Sequence, residues 1–322
     1  MKYVYVLSSS EEDFYTEQAL ISIYSLRRNN PHAYVILFVD QVTITTLKNE
    51  RSRIKEFVDE IITVNTPSEL NFLQRSRYIK TSLRQLLKGD FLYLDTDTVI
   101  LGNLKELEGM KCEMGAISLQ DADDWGLNNI HPQLVDYNIA KKLPQKENHT
   151  ITKYFNGGVF LCRDTIGVHD FFNIWHNSWF ESSLNFNYHK DQPDFWIANA
   201  KMNQLISEIN GIYNFQINCF NKIPDNIFTC KIFHYIATSR YCKYLNVRSV
   251  DYLCKIRKEG ITEETDSMID KIKMEYLQGL EIKEKEKASS LILTVKYLEN
   301  KFPRITSSLD KGLMKLLQKF NK

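Results

Sequence analysis

Apolar positions along the first hundred residues repeat with two different periods. Short runs dense in β-branched and aromatic residues cover 3–7, 34–39, 58–64 and 91–100, the composition of strands buried on both faces. Between them the apolar residues fall at helical spacing. Residues 17–28 carry Ala19, Leu20, Ile23, Tyr24 and Leu26 on one face, and Pro31 closes that helix. A second helical stretch runs to Glu56, and a third covers 76–87 and stops at Gly89. This alternation predicts an α/β fold whose mainly parallel sheet is flanked by helices.

Beyond residue 120 the pattern loosens. Residues 114–119 read as one more strand, whereas 121–150 are acidic and then rich in Asn and Lys, with the weak periodicity of a long functional loop. A strand is expected at 158–162 and a Trp-rich helix at 170–180. Another helix, at 192–201, is entered through Asp191 and Pro193, and a last strand covers 231–236. From about residue 246 the chain is Lys/Glu-rich and helical. The expected division is a large α/β domain over 1–245 and a helical C-terminal extension over 246–322.

Composition narrows the class. Of the 322 residues, 43% are hydrophobic and 25% charged, which fits a packed globular protein and excludes extensive disorder. Lys and Arg total 41 against 40 Asp and Glu, so the net charge of +1 gives no global attraction to nucleic acid. The six cysteines form no Cys-x-x-Cys pair, which argues against zinc and redox motifs. The apolar N-terminal run is too short for a signal peptide, and no stretch approaches the ~20 apolar residues that span a bilayer. A reducing, cytoplasmic setting is expected, in which the sequon at Asn148 stays unmodified.

The candidate chemistry lies inside the apolar run 91–100, where Asp95 and Asp97 interrupt a strand that should tolerate no unpaired acid. At the carboxyl end of such a strand, a hard divalent cation that also holds a diphosphate would compensate both. Asp-x-Asp also arises by chance in surface turns, but Leu92-Tyr93-Leu94 before it and Val99-Ile100 after it favour a built site. Other residues read two ways when taken alone. His234 is either a ligand or a strand-end histidine bonded to a carbonyl. Asn156-Gly157-Gly158 precedes a strand, as a tight turn or a place of close ligand approach. Asp191 is either an N-cap or a site acid, Lys80 a solvated helix lysine or a site cation, and Tyr15 a core ring or a stacking platform.

Taken in order, Tyr15 to Leu26, Tyr78-Ile79-Lys80, Leu92-Tyr93-Leu94-Asp95-Thr96-Asp97-Thr98, Phe155-Asn156-Gly157-Gly158-Val159, Asp191-Gln192 and His234 resemble glycosyltransferase family 8 over about residues 1–240. The resemblance implies a GT-A (Rossmann-like) fold and a nucleotide sugar donor, usually a UDP-hexose. It also implies Mn²⁺ or Mg²⁺ and retention of the anomeric configuration. By the same resemblance Asp95, Asp97 and His234 bind the metal, and Asn156, Gly157 and Gly158 face the donor sugar. Lys80 sits near the diphosphate and sugar. Asp191 accepts from sugar hydroxyls, and Gln192 turns its carbonyl to the anomeric carbon. Tyr15 stacks on uracil, and Asp121 matches a sugar-contacting acid by position. Where relatives carry an acid that reads the uracil, the first strand ends in Ser8-Ser9-Ser10, which leaves the base open.

The family pattern His-x-x-Gly-x-x-Lys also departs here to His234, Ala237 and Arg240. Arg240 retains a phosphate-binding fork, while the Ala237 methyl crowds a turn that glycine leaves open. The expected activity is transfer of glucose or galactose from UDP to a glycan or lipid-linked acceptor. Alternatives are an inverting transferase, with Asp123, Asp124 or Asp191 as base, and a non-catalytic sugar-nucleotide-binding scaffold. In the tail Leu309, Leu313, Leu316, Leu317 and Phe320 share a helical face, and Lys311, Lys315, Lys319 and Lys322 add positive charge. That stripe suits peripheral association with the inner face of an anionic membrane. It equally suits docking on this chain or on a second subunit.

Overall fold

The computed structural model describes residues 1–118, 155–186, 189–216, 230–235, 247 and 249–277. The expectations for Asp121, Ala237 and Arg240, the 121–150 loop and the amphipathic tail lie outside those residues. Seven strands form the main sheet: β1 (Lys2–Leu7), β2 (Tyr34–Asp40), β3 (Glu60–Val64), β4 (Phe91–Leu94), β6 (Met114–Ser118), β7 (Phe155–Cys162) and β8 (Ile206–Glu208). Their order is β3-β2-β1-β4-β7-β6-β8, and only β7 runs antiparallel to its neighbours. A second, three-stranded sheet joins β5 (Thr98–Ile100), β10 (Ile232–His234) and β9 (Phe215–Gln216).

The run 91–100 is therefore two strands in two sheets, not one interrupted strand. The chain leaves the main sheet at Leu94, turns through Asp95–Asp97, and enters the small sheet at Thr98. Carboxylates cannot sit in the dry centre of a parallel sheet, and the turn brings both to its rim. Helix α1 (Tyr15–Asn29) fixes the position of the second piece. Ser22 Oγ lies 2.7 Å from Thr98 Oγ1, and the Ile100 amide donates to Ser25 Oγ at 2.8 Å.

Short helix α2 (Thr43–Thr46) and a 3₁₀ helix, Asn49–Glu56, stand where one helical stretch was expected. Helix α3 (Phe72–Thr81) begins ahead of the predicted start because Asn71 and Gln74 form a reciprocal capping box, and α4 (Leu83–Leu86) follows after a break at Ser82. Helix α5 (Ile166–Phe186) brings Phe171, Phe172 and Trp175 onto the sheet. There Phe172 and Trp175 pack on Phe160, which stacks on Tyr93 at 4.7 Å between ring centroids, and Phe171 and Trp175 pack on Phe195 of α6 (Gln192–Lys201). This aromatic core lies directly beneath the site.

Helices α7 (Val250–Glu259) and α8 (Glu263–Leu277) belong, as far as Lys273, to the same compact unit as the sheet, Met1–Lys273. They are bound to α1 through Arg257 to Glu17 at 2.8 Å, Tyr24 to Asp266 at 2.8 Å and Arg28 to Asp270 at 2.8 Å. Among the described cysteines Cys162 and Cys230 are buried and Cys254 is exposed, all free. No described helix is long and apolar enough to cross a membrane.

Candidate active site

The site is assembled at the carboxyl edge of β4. Asp95 follows that strand directly, and the Thr98 hydroxyl closes the turn on the Asp95 carbonyl at 2.8 Å. Strand β10 runs antiparallel to β5 with His234 opposite Thr98, which places His234 Nε2 3.2 Å from Asp97 Oδ1. One ligand atom from each of Asp95, Asp97 and His234 fits within a 4.8 Å span. Two carboxylates and an imidazole at that spacing form a donor set for one divalent cation. Burial disfavours the charged imidazole, but the Asp97 carboxylate more than offsets it, so the His234 pKa is raised. The Asp97 carboxyl is correspondingly held below its ordinary range, against its own burial, by His234.

Next to the triad the backbone is bare. A Cβ on Gly158 would fall 2.7 Å from Asp95 Oδ2 and closer still to the His234 ring. Only glycine lets the Asp95 carboxylate and the His234 ring close on this backbone, so the missing side chain is what brings two of the three donors together. Asn156, Gly157 and Gly158 do not form a turn ahead of a strand. They lie within β7, which starts at Phe155 and runs antiparallel to β4, so its first residues meet the last residues of β4. The Asp95 amide donates to the Gly158 carbonyl at 2.7 Å and continues that ladder to the edge of the site.

Asp191 supplies the next layer. Its side chain makes no capping bond to α6. Instead Oδ1 lies 3.2 Å from Arg77 Nε, and Oδ2 lies 3.0 Å from Lys80 Nζ. The two cations stand one turn apart on α3. Burial would raise the Asp191 pKa, and Lys80 and Arg77 together lower it. Lys80 is itself buried, over the Tyr93 ring at 4.9 Å and 3.6 Å from Asp95 Oδ1, so it bridges the two acids. Tyr93 donates its hydroxyl to Asp95 Oδ1 at 2.5 Å. Gln192 Oε1 accepts from the Gly157 amide at 3.3 Å and from Asn156 Nδ2 at 3.4 Å.

At the end of β1, Ser8 is buried. The Asp13 carboxylate holds the following loop by accepting from Ser9 Oγ and the Ser10 amide, each at 2.6 Å. Tyr15 opens α1 as a residue 37% exposed, its ring centroid 5.5 Å from that of Phe72, a rim position and not a core one. Sequence reasoning missed three members of the cluster. Arg77 was within reach, since it shares the Lys80 face one turn earlier on a predicted helix. Tyr93 read only as strand core. Asn214, which lies 2.9 Å from His234 Nδ1, carried no signal because β9 was not anticipated.

A model of glycosyl transferase family 8 matches residues 6–241, and the chain belongs to that family. It is a glycosyltransferase with a GT-A fold. Solved structures of similar fold include the galactosyltransferase LgtC in complex with donor and acceptor sugar analogs. That structure is 14% identical with a TM-score of 0.53, over 83% of this chain and all of that one. An active-site mutant of LgtC is 15% identical with a TM-score of 0.52, over the same shares of the two chains. The bifunctional glycosyltransferase WbbM is 13% identical with a TM-score of 0.52, over 81% of this chain and 52% of that one. No curated protein matches the sequence.

Proposed function

We propose that this enzyme is a retaining, metal-dependent hexosyltransferase. It would move glucose or galactose from a UDP-sugar to a hydroxyl of a glycan or lipid-linked acceptor. The observation that carries the reading is the convergence of Asp95, Asp97 and His234 over the bare backbone of Gly158, beside buried Lys80 and Asp191 and the half-buried Arg77. In this reading Asp95, Asp97 and His234 hold Mn²⁺ or Mg²⁺, whose positive charge would offset the charge that builds on the leaving diphosphate.

This chain's own residues do the rest. Lys80, beside both Asp95 and Asp191, sits between the diphosphate end and the sugar end of the donor. Asp191, fixed by Lys80 and Arg77, accepts from sugar hydroxyls, and Asn156 orients the ring. Gln192 presents its amide oxygen to the anomeric carbon and stabilises the cationic transition state, since a neutral amide is a feeble nucleophile. The acceptor hydroxyl attacks on the face that the diphosphate leaves, and its proton passes to the departing phosphate oxygen. An inverting route would need a general base, and Asp191 fits that role poorly because two cations hold its pKa low. In this reading Tyr15 stacks on the base and Ser8 lines its site, and Asp121 and Arg240 contact the sugar and the phosphate. Anomer-resolved NMR of the first product, after a donor screen by UDP release, tests the reading. An α-linked product from an α-donor is expected, and a β-linked one contradicts it.

A further inference from the structure

The metal side and the sugar side of the site are joined by one buried side chain. Asn214 follows the helical turn Gly211–Tyr213, just before β9, and none of it is exposed. Its two amide atoms face two different partners. One lies 2.9 Å from the Asn156 amide and the other 2.9 Å from His234 Nδ1.

Which atom is which follows from a single backbone group. The Gly158 N–H meets Asn156 at 2.8 Å, and a peptide N–H can only donate, so the Asn156 atom it meets is Oδ1. The Asn214 atom facing that oxygen must then donate, and it is Nδ2. The remaining Asn214 atom is Oδ1, an acceptor only, so the His234 Nδ1 facing it carries a proton. With Nδ1 protonated, a neutral His234 keeps its lone pair on Nε2. That nitrogen faces Asp97 and the triad. The opposite amide orientation would press two carbonyl oxygens together in a fully buried place, with no donor between them.

We propose that Asn214 is a positioning residue for the cation site. It sets the ring orientation and tautomer of His234, making Nε2 the ligating nitrogen, and through Asn156 it couples that ligand to the sugar-facing strand β7. Outer-shell partners of this kind fix a ligating histidine and raise its basicity. The inference rests on the reading of Asp95, Asp97 and His234 as a divalent-cation site.

The test is Mn²⁺ uptake by the metal-free full chain, read from the electron paramagnetic resonance of the free ion. It is applied to wild type, Asn214→Ala and Asn214→Asp. Aspartate keeps an acceptor toward Nδ1–H but offers no donor to Asn156, whereas alanine offers neither. Asn214→Ala is expected to weaken Mn²⁺ binding by about 10- to 100-fold. Asn214→Asp is expected to bind Mn²⁺ at least as tightly as wild type while its KM for the donor rises. Alanine binding as tightly as wild type, or aspartate binding as weakly as alanine, overturns the role. A wild type that takes up no Mn²⁺ removes the cation reading itself, a different failure. Nitrogen NMR of histidine-labelled wild type loaded with diamagnetic Zn²⁺ decides independently of how the variants fold. A proton on His234 Nδ1 supports the proposal, and a proton on Nε2 overturns it.

Discussion

At the scale of single residues, the site depends as much on what Gly158 lacks as on what its neighbours carry. A methyl there would displace Asp95 or His234, so Gly158→Ala should lose metal-dependent UDP binding although no ligand has been removed. Calorimetry of UDP with Mn²⁺ checks this, and wild-type affinity in the variant would refute it. Gln192 makes the opposite case. Among the described residues its oxygen accepts from Gly157 and Asn156, and in the proposed role it acts on the transition state. Gln192→Ala should therefore lower kcat, by about 10- to 1,000-fold for a lost electrostatic contact, while UDP affinity stays close to wild type. A large loss of UDP affinity would count against that role. The carboxylates stood out in the sequence because acids are costly inside an apolar run, whereas His234 and the Asn156–Gly158 triplet were marked only by their place in the order of family motifs. Asn214 was not, since a buried asparagine in an irregular segment has no pattern to mark it.

At the scale of elements, the alternation of strand and helix to residue 100 was legible, and the break at Asp95 was not. Periodicity cannot tell one strand from two when both are apolar, and the partner that captures the second piece, β10, comes more than a hundred residues later. For the same reason Asn156 and Gly157 were read as lying ahead of the strand at 158–162, whereas pairing with β4 belongs to a strand that begins at Phe155. Helix α7 was legible as a helix, but its role was not. One guanidinium, Arg257, donates to Glu17 at 2.8 Å and to the Glu11 carbonyl at 3.1 Å, reaches the Asp13 carbonyl, and lies over the Phe14 ring at 4.5 Å. It thereby holds the loop that leads from Ser8 to Tyr15. Arg257→Met should raise the donor KM about tenfold, the effect of roughly 1.4 kcal/mol of lost positioning, with kcat at saturating donor nearly unchanged. Arg28→Met, which frees Asp270 at the other end of α1, should leave that KM alone. Donor-saturation kinetics of the two variants checks the contrast, and equal effects would mean that α7 only stabilises the fold.

At the scale of the whole molecule, the sheet buries tyrosines that resist ionisation. Burial and the nearby Glu108 push Tyr3 up to about 12, and burial raises Tyr5 and Tyr93 further from their ordinary range. A group whose pKa is higher in the folded chain gives stability that is fully present below the unfolded value, about 10, and lost as pH rises toward the folded one. The contribution of these hydroxyls to stability should therefore be intact below about pH 10 and fall as pH rises past it, through about 12 for Tyr3, which denaturant titrations across that range would check. Unchanged stability at the alkaline end would show that these hydroxyls are not buried in solution.

The central claim, that Asp95, Asp97 and His234 hold a divalent cation on which sugar transfer depends, is met most directly by UDP release from the full chain. The rate is measured as prepared, after chelation, and after Mn²⁺ is returned, in wild type and Asp97→Asn. Turnover should vanish on chelation and return with Mn²⁺ in wild type, and the variant should stay several powers of ten below the Mn²⁺-loaded wild type under every condition. Turnover that survives chelation, or an Asp97→Asn enzyme as fast as wild type, would contradict the account.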